Sequence, residues 1–145
     1  YLNYVGQMTK NDILPGVYAI IEKLKQSGYP IALGSASKNA KRILECVGLK
    51  DTFDAIVDGN SVTKAKPDPE VFLNAAQLLK VNPEDCVVFE DSVAGIQAAN
   101  IGHMTSVGIG EQSVLNEADY CFKDFTEINS NFLSKLTGKT LTNNI

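Results

Sequence analysis

"VVFEDSVAGIQAA", residues 87–99, runs from apolar positions through two adjacent acids, Glu90 and Asp91, into a stretch of helical composition with a glycine inside it. A short run rich in β-branched and aromatic residues, preceded by Cys86, reads as a buried strand, and "SVAGIQAANIG" reads as the helix that follows. Two like charges at the end of such a strand repel each other unless a cation or hydrogen-bond donors offset them. Strand, acidic turn and helix make half of a parallel βαβ unit, and the same alternation recurs on both sides of it.

Upstream, "PEVFLNAAQLLK" is a helix opened by Asp68 and Pro69, preceded by the strand "FDAIVDG". Before those come the strand "YPIALGS" and the helix "KNAKRILECVG", ending at Gly48. In "PGVYAIIEKLKQSG", Val17, Ile20, Ile21 and Leu24 share one helical face, with Pro15 suited to the first turn and Gly28 to the stop. Downstream, strands are expected near "MTSVGI" and "ADYCF", then a last helix from about Phe125 to Leu136. Alternation of this kind implies an α/β fold, a doubly wound parallel sheet covered on both faces. The tail "TGKTLTNNI", residues 137–145, has no periodicity and is expected to be disordered.

The 145 residues, 44% hydrophobic and 21% charged, suit one globular domain. A net charge of −4 with scattered basic residues argues against a nucleic-acid partner. Cys46, Cys86 and Cys121 lie far apart among apolar neighbours and read as reduced, buried thiols of a cytoplasmic protein. No apolar run approaches the roughly 18 residues of a membrane span, and no basic-then-apolar leader is present. The chain starts at Tyr1, which suggests that an upstream segment has been removed. The lone His103 has no second histidine to join it as a ligand and reads as structural or surface.

Ligands of such sheets sit beyond the carboxyl ends of the strands, and three of those ends carry unusual chemistry. "GSASKNA" offers Ser35, Ser37 and Lys38 ahead of a helix start, an arrangement suited to phosphate, although Ser37 or Asn39 would also serve as a simple cap. "TKAKPDPE" places Lys66 ahead of Pro67 and Pro69, as a positioned point charge or as a solvated surface lysine. Glu90 and Asp91 are oxygen ligands of the kind Mg²⁺ prefers, and Asp91 would also cap the helix starting near Ser92. Phosphoryl transfer needs donors for the equatorial oxygens, a cation against accumulating charge and carboxylates holding a metal. The three ends supply those parts in order.

"GSASKNA", "KAKPDPEVF" and "FEDSVAGIQAA" resemble the second, third and fourth motifs of the haloacid dehalogenase superfamily, and "SASKN" is similar to its beta-phosphoglucomutase branch. The resemblance spans about Ile13 to Leu136. It implies that Ser35 binds the transferring phosphoryl group, that Lys66 bridges it to the nucleophile, and that Glu90 and Asp91 help hold Mg²⁺. The loop Ser35, Ala36, Ser37, Lys38 and Asn39 would bind substrate, with Ser37 to Asn39 on the second phosphate of a sugar bisphosphate. Implied for the whole protein is interconversion of beta-glucose 1-phosphate and glucose 6-phosphate through an aspartyl-phosphate, under a helical cap. A sugar-phosphate or small-molecule phosphatase and a non-catalytic binding domain are the alternatives.

The family's first motif, a strand ending in Asp-x-Asp that carries the nucleophile, has no counterpart here; the only Asp-x-acid triplet is "DPE" at Asp68, inside the third-motif loop. Without a nucleophile the chain alone is expected to be inactive. By the resemblance, residues 1–12 are the end of the cap, 13–136 an incomplete core, and 137–145 a tail. The missing strand belongs between those at Ile31 to Leu33 and Cys86 to Phe89, so an upstream segment or a partner's strand is expected to complete the sheet.

Overall fold

The computed structural model describes residues 17–35, 52–135 and 140–143. In chain order they form α1 (Val17–Gln26), β1 (Ile31–Gly34), β2 (Ala55–Val57), α2 (Glu70–Leu79), β3 (Cys86–Glu90), α3 (Val93–Ile101), β4 (Thr105–Ile109), β5 (Tyr120–Phe122), α4 (Ser130–Lys135) and β6 (Thr140–Asn143). The expected helix at 38–48 and the expected cap remnant at 1–12 lie outside the described residues.

The strands form one sheet of order β2-β1-β6-β3-β4-β5, and every pairing in it is parallel. Side chains alternate across it, as a strand's period of two requires. Ile31, Leu33, Val87, Phe89, Val107 and Ile109 pack on one face with Ile20, Ile21 and Leu24 of α1 and with Phe125 and Phe132. Ala32, Cys86 and Val88 pack on the other with Phe72, Ala75 and Ala76 of α2 and Ala98 and Ala99 of α3. The fold is therefore the doubly wound α/β architecture that the alternation implies, with small alanines where α2 and α3 press onto the sheet.

Two expectations are corrected. The last helix is not continuous from Phe125: a 3₁₀ turn covers Phe125–Glu127, and α4 starts only at Ser130. Asp124 accepts the Thr126 N–H and Asn129 accepts the Phe132 N–H, so two short polar side chains start two separate turns where a continuous helix would need neither.

The larger correction concerns the tail. Residues 140–143, expected to be disordered, form β6 in the centre of the sheet. Leu141 is opposite Ile31 on one side and Val87 on the other, and Asn143 is opposite Leu33 and Phe89. The place expected to need an upstream or foreign strand is taken by the chain's own carboxy-terminal segment. The physical reason is the one that made the gap unfavourable: β1 and β3 each present a row of amides and carbonyls that must be paired once buried. The β6 backbone pairs with both rows, and threonine is a residue type that suits a pleated strand.

Candidate functional site

The carboxyl ends of β1 and β3 and the loop after β2 open on the same edge of the sheet. Ser35 follows β1 directly, is buried, and its N–H donates to the Val57 carbonyl at 2.8 Å, which fixes the β1 and β2 ends side by side. Ala36, Ser37, Lys38 and Asn39 lie outside the described residues.

Lys66 reaches back from the loop that leads to α2. Its Nζ donates to Glu90 Oε2 at 2.8 Å, with the two side chains 11% and 0% exposed. A pair this buried holds only if the carboxylate's remaining lone pairs are also satisfied. They are: Glu90 Oε1 accepts the Asp91 and Ser92 N–H groups, each at 3.1 Å, and the Ser92 hydroxyl at 2.9 Å. Beneath the ammonium lies the ring of Phe72, 4.9 Å from Nζ to its centroid, a cation–π contact that stabilises the charge where water is excluded.

Two glycines give this column its room. A Cβ at Gly34 would stand 3.1 Å from the Phe72 ring, and a Cβ at Gly95 would overlap Cγ, Cδ and Oε2 of Glu90. Gly34, Phe72, Lys66, Glu90 and Gly95 thus form one continuous stack from the end of β1 to the first turn of α3.

The acidic pair divides its work. Glu90 faces inward, fully engaged, whereas Asp91 is exposed. Partial desolvation at the strand end, and then the neighbouring Glu90 carboxylate, push the Asp91 carboxyl above its usual range. Asp91 does not cap α3. That role belongs to Ser92, whose Oγ accepts the Gly95 N–H at 3.0 Å. The helix N-terminus therefore faces Glu90, where its unpaired amides favour negative charge.

A divalent ion fits this end in part. Asp91 is an exposed carboxylate beside Glu90, whose own carboxylate is already engaged by Lys66. Among the described residues no group of three or more His, Cys, Asp or Glu side chains converges as a complete metal shell. A water-rich Mg²⁺ held by one or two carboxylates is compatible with what is present.

Of the expected residues, the structure brings Lys66 and Glu90 into contact, sets Asp91 beside them, and places Ser35 at the same edge. Sequence reasoning missed Phe72, Gly34, Gly95 and Glu70. Gly95 carried the clearest signal, since a glycine inside a helix is unfavourable by about 1 kcal/mol relative to alanine and so asks for a packing reason. Cys86 is buried, as expected; Cys121, a free thiol, is only half-buried, at a strand on the sheet edge. His103 is exposed and adopts a left-handed backbone at φ 62°. No helix among the described residues is long and apolar enough to cross a membrane.

Residues 2–102 match the family model described as haloacid dehalogenase-like hydrolase. The chain belongs to this family. Over 128 residues it is 38% identical to the beta-phosphoglucomutase of Bacillus subtilis, a match covering 88% of this chain and 57% of that protein. Hexitol phosphatase B of Escherichia coli is 32% identical over 131 residues, covering 89% of this chain and 58% of its own length. The crystal structure of beta-phosphoglucomutase from Clostridium difficile superposes with a TM-score of 0.88 at 37% identity, covering 94% of this chain and 61% of the other. The chain thus spans less than two thirds of the haloacid dehalogenase relatives it matches. At this level of similarity the family is one of phosphatases and phosphomutases, and the fold agrees with its solved members.

Proposed function

We propose that this chain is the carboxy-terminal part of a Mg²⁺-dependent beta-phosphoglucomutase that interconverts beta-glucose 1-phosphate and glucose 6-phosphate. The observation that carries the reading is the desolvated Lys66 ammonium, held 2.8 Å from Glu90 at the strand ends. A positive charge fixed there in a low-dielectric pocket opposes the negative charge that accumulates on a transferring phosphoryl group, and it does so without reorganisation during the step. Ser35 would donate its hydroxyl to an equatorial oxygen of that group. Ser37, Lys38 and Asn39 would hold the second phosphate, so that either end of a sugar bisphosphate can be presented. Asp91, with Glu90 behind it, would hold Mg²⁺, which supplies charge neutralisation at the phosphoryl oxygens.

The attacking carboxylate is not in this chain. An Asp-x-Asp strand from an upstream segment or a partner would have to take the place of β6, between β1 and β3, to bring its acid to the same edge. The chain by itself is then inactive. The free thiol of Cys121 supports a reducing, cytoplasmic setting for the whole protein.

The test is the longer protein carrying such an upstream strand. It is expected to convert beta-glucose 1-phosphate to glucose 6-phosphate, and Lys38→Ala to lower that rate roughly a hundredfold, the usual cost of losing one positioned donor. Release of inorganic phosphate without interconversion, and indifference to Lys38→Ala, would assign a sugar-phosphate phosphatase instead, the activity named for hexitol phosphatase B. The absence of any upstream Asp-x-Asp strand would leave a non-catalytic binding domain.

Metal dependence gives a second check. In the completed site, Mg²⁺ at about a hundred times its dissociation constant is expected to raise stability by about 2.7 kcal/mol; in the present chain, millimolar Mg²⁺ is expected to change the melting temperature little. Asp91→Asn should remove the metal response. Because the folded pKa of Asp91 lies above its unfolded value, ionisation detracts from stability as pH rises through the carboxylate range. The same variant is therefore expected to be slightly more stable than the parent at neutral pH without metal. Thermal scans at pH 4 and pH 7 would show it, and equal or lower stability at pH 7 would contradict the assignment.

A further inference from the structure

We infer that Glu70 is a positioning residue for Lys66, fastening the loop that carries the ammonium onto the first turn of α2. The inference deepens the proposed function, since it concerns how the same site holds its cation. Lys66 approaches Glu90 from a loop, and a lysine has a long flexible stem, so its placement depends on how firmly the backbone beneath it is held.

On the side before Lys66, one carboxylate does the holding. Glu70 Oε1 accepts the Thr63 N–H at 2.6 Å and the Thr63 hydroxyl at 3.2 Å. Its Oε2 accepts the same hydroxyl at 2.9 Å and the Lys64 N–H at 3.2 Å. On the side after Lys66, Asp68 Oδ1 accepts the Glu70 N–H at 3.0 Å, and the Asp68 N–H donates to the Ala65 carbonyl at 3.0 Å. Both flanks of Lys66 are thereby tied to the start of one helix, with the lysine at the apex of a closed loop.

Phe72, two residues beyond Glu70 on the same helix, lies under the ammonium. A helix start that grips the loop and a helix side chain that supports its cation act as one unit. Glu70 sits at the surface, where a carboxylate has no need of partners, yet it collects these donors. Their hydrogen bonds hold its pKa below the usual carboxylate range. The surface salt bridge that a glutamate beside lysines would suggest is not what the geometry shows: the partners are backbone amides and a hydroxyl.

Limited acetylation with acetic anhydride, read by mass spectrometry at Lys66 against Lys80 and Lys135, tests this on the chain as it stands. In Glu70→Ala the loop is released, and Lys66 labelling is expected to rise about fivefold while the two reference lysines stay unchanged, since charge-assisted bonds are roughly twice as strong as neutral ones. Glu70→Gln keeps an acceptor for Thr63 but loses the charge, and should fall between the two. Thr63→Val gives an independent version that leaves Glu70 in place and should shift Lys66 in the same direction. A role confined to stability would lower the melting temperature and leave the ratio of Lys66 to reference labelling at its parental value in all three variants; that result overturns the inference. The readout needs no turnover. If Lys66 responds as expected and the longer protein transfers no phosphoryl group, the functional reading fails while the positioning role stands.

Discussion

Gly95→Ala is expected to destabilise the chain by about 4 kcal/mol, the scale on which breaking a buried ion pair acts. The sign is what makes this informative. Replacing a glycine inside a helix by alanine ordinarily stabilises by about 1 kcal/mol, because alanine loses less backbone entropy. Here the added Cβ would overlap the Glu90 side chain, which is 0% exposed and has no room to retreat inward. Either α3 moves off β3, opening the alanine-lined contact at Ala98 and Ala99, or Glu90 leaves its place and abandons Lys66 together with the Asp91 and Ser92 amides. Urea titration would measure the loss. A companion variant, Glu90→Ala, removes the obstructing side chain, so the Gly95→Ala and Glu90→Ala costs should fall far short of adding, as coupled neighbours do. Full additivity, or stabilisation by Gly95→Ala alone, would refute the steric account.

Removing residues 140–145 from this chain is expected to abolish cooperative unfolding. Among the described residues, strand β6 is the only link between β1 and β3 in the sheet order, so its loss divides the sheet into β2-β1 and β3-β4-β5. Both new edges are apolar and buried on both faces, with Ile31, Leu33, Val87 and Phe89 beside them. Losing the ladder on both sides exceeds what a domain stable by only about 5–15 kcal/mol tolerates. Binding of a hydrophobic dye and fast hydrogen exchange at Val87 to Phe89 would report the opened centre. In a longer protein whose upstream strand holds the same position, the deletion should leave stability unchanged. A sharp, parental unfolding transition in the shortened chain would show that β6 contributes little.

Much of the architecture was legible because it depends on local pattern. Runs such as "IALG" and "CVVF" are without a polar side chain, which in an alternating chain points to strands buried on both faces, and the helices around them repeat apolar residues at helical spacing. What escaped was non-local. Thr-Leu-Thr-Asn has one apolar residue in four, and nothing within it announces a central strand; its place comes from two neighbours more than 50 residues upstream. In the site, the residue types at the strand ends were readable as phosphate and metal chemistry. The division of labour between Glu90 and Asp91 was not, since it depends on Lys66, which lies 24 residues away in sequence from Glu90, and on the space left by Gly95. Glu70 was invisible for the same reason: its partners are loop amides whose approach only the fold determines.

The position of β6 also bears on how quickly the domain assembles. It follows every other described strand in the chain yet lies in the middle of the sheet, so its contacts span the longest sequence separations available. Pairings of that kind are slow to form, because the loop-closure entropy is lost before any native contact rewards it. During synthesis, β1 and β3 would emerge from the ribosome well ahead of the segment that joins them, leaving two sticky strand edges exposed for the interval, a window in which a chaperone or a second nascent copy could bind.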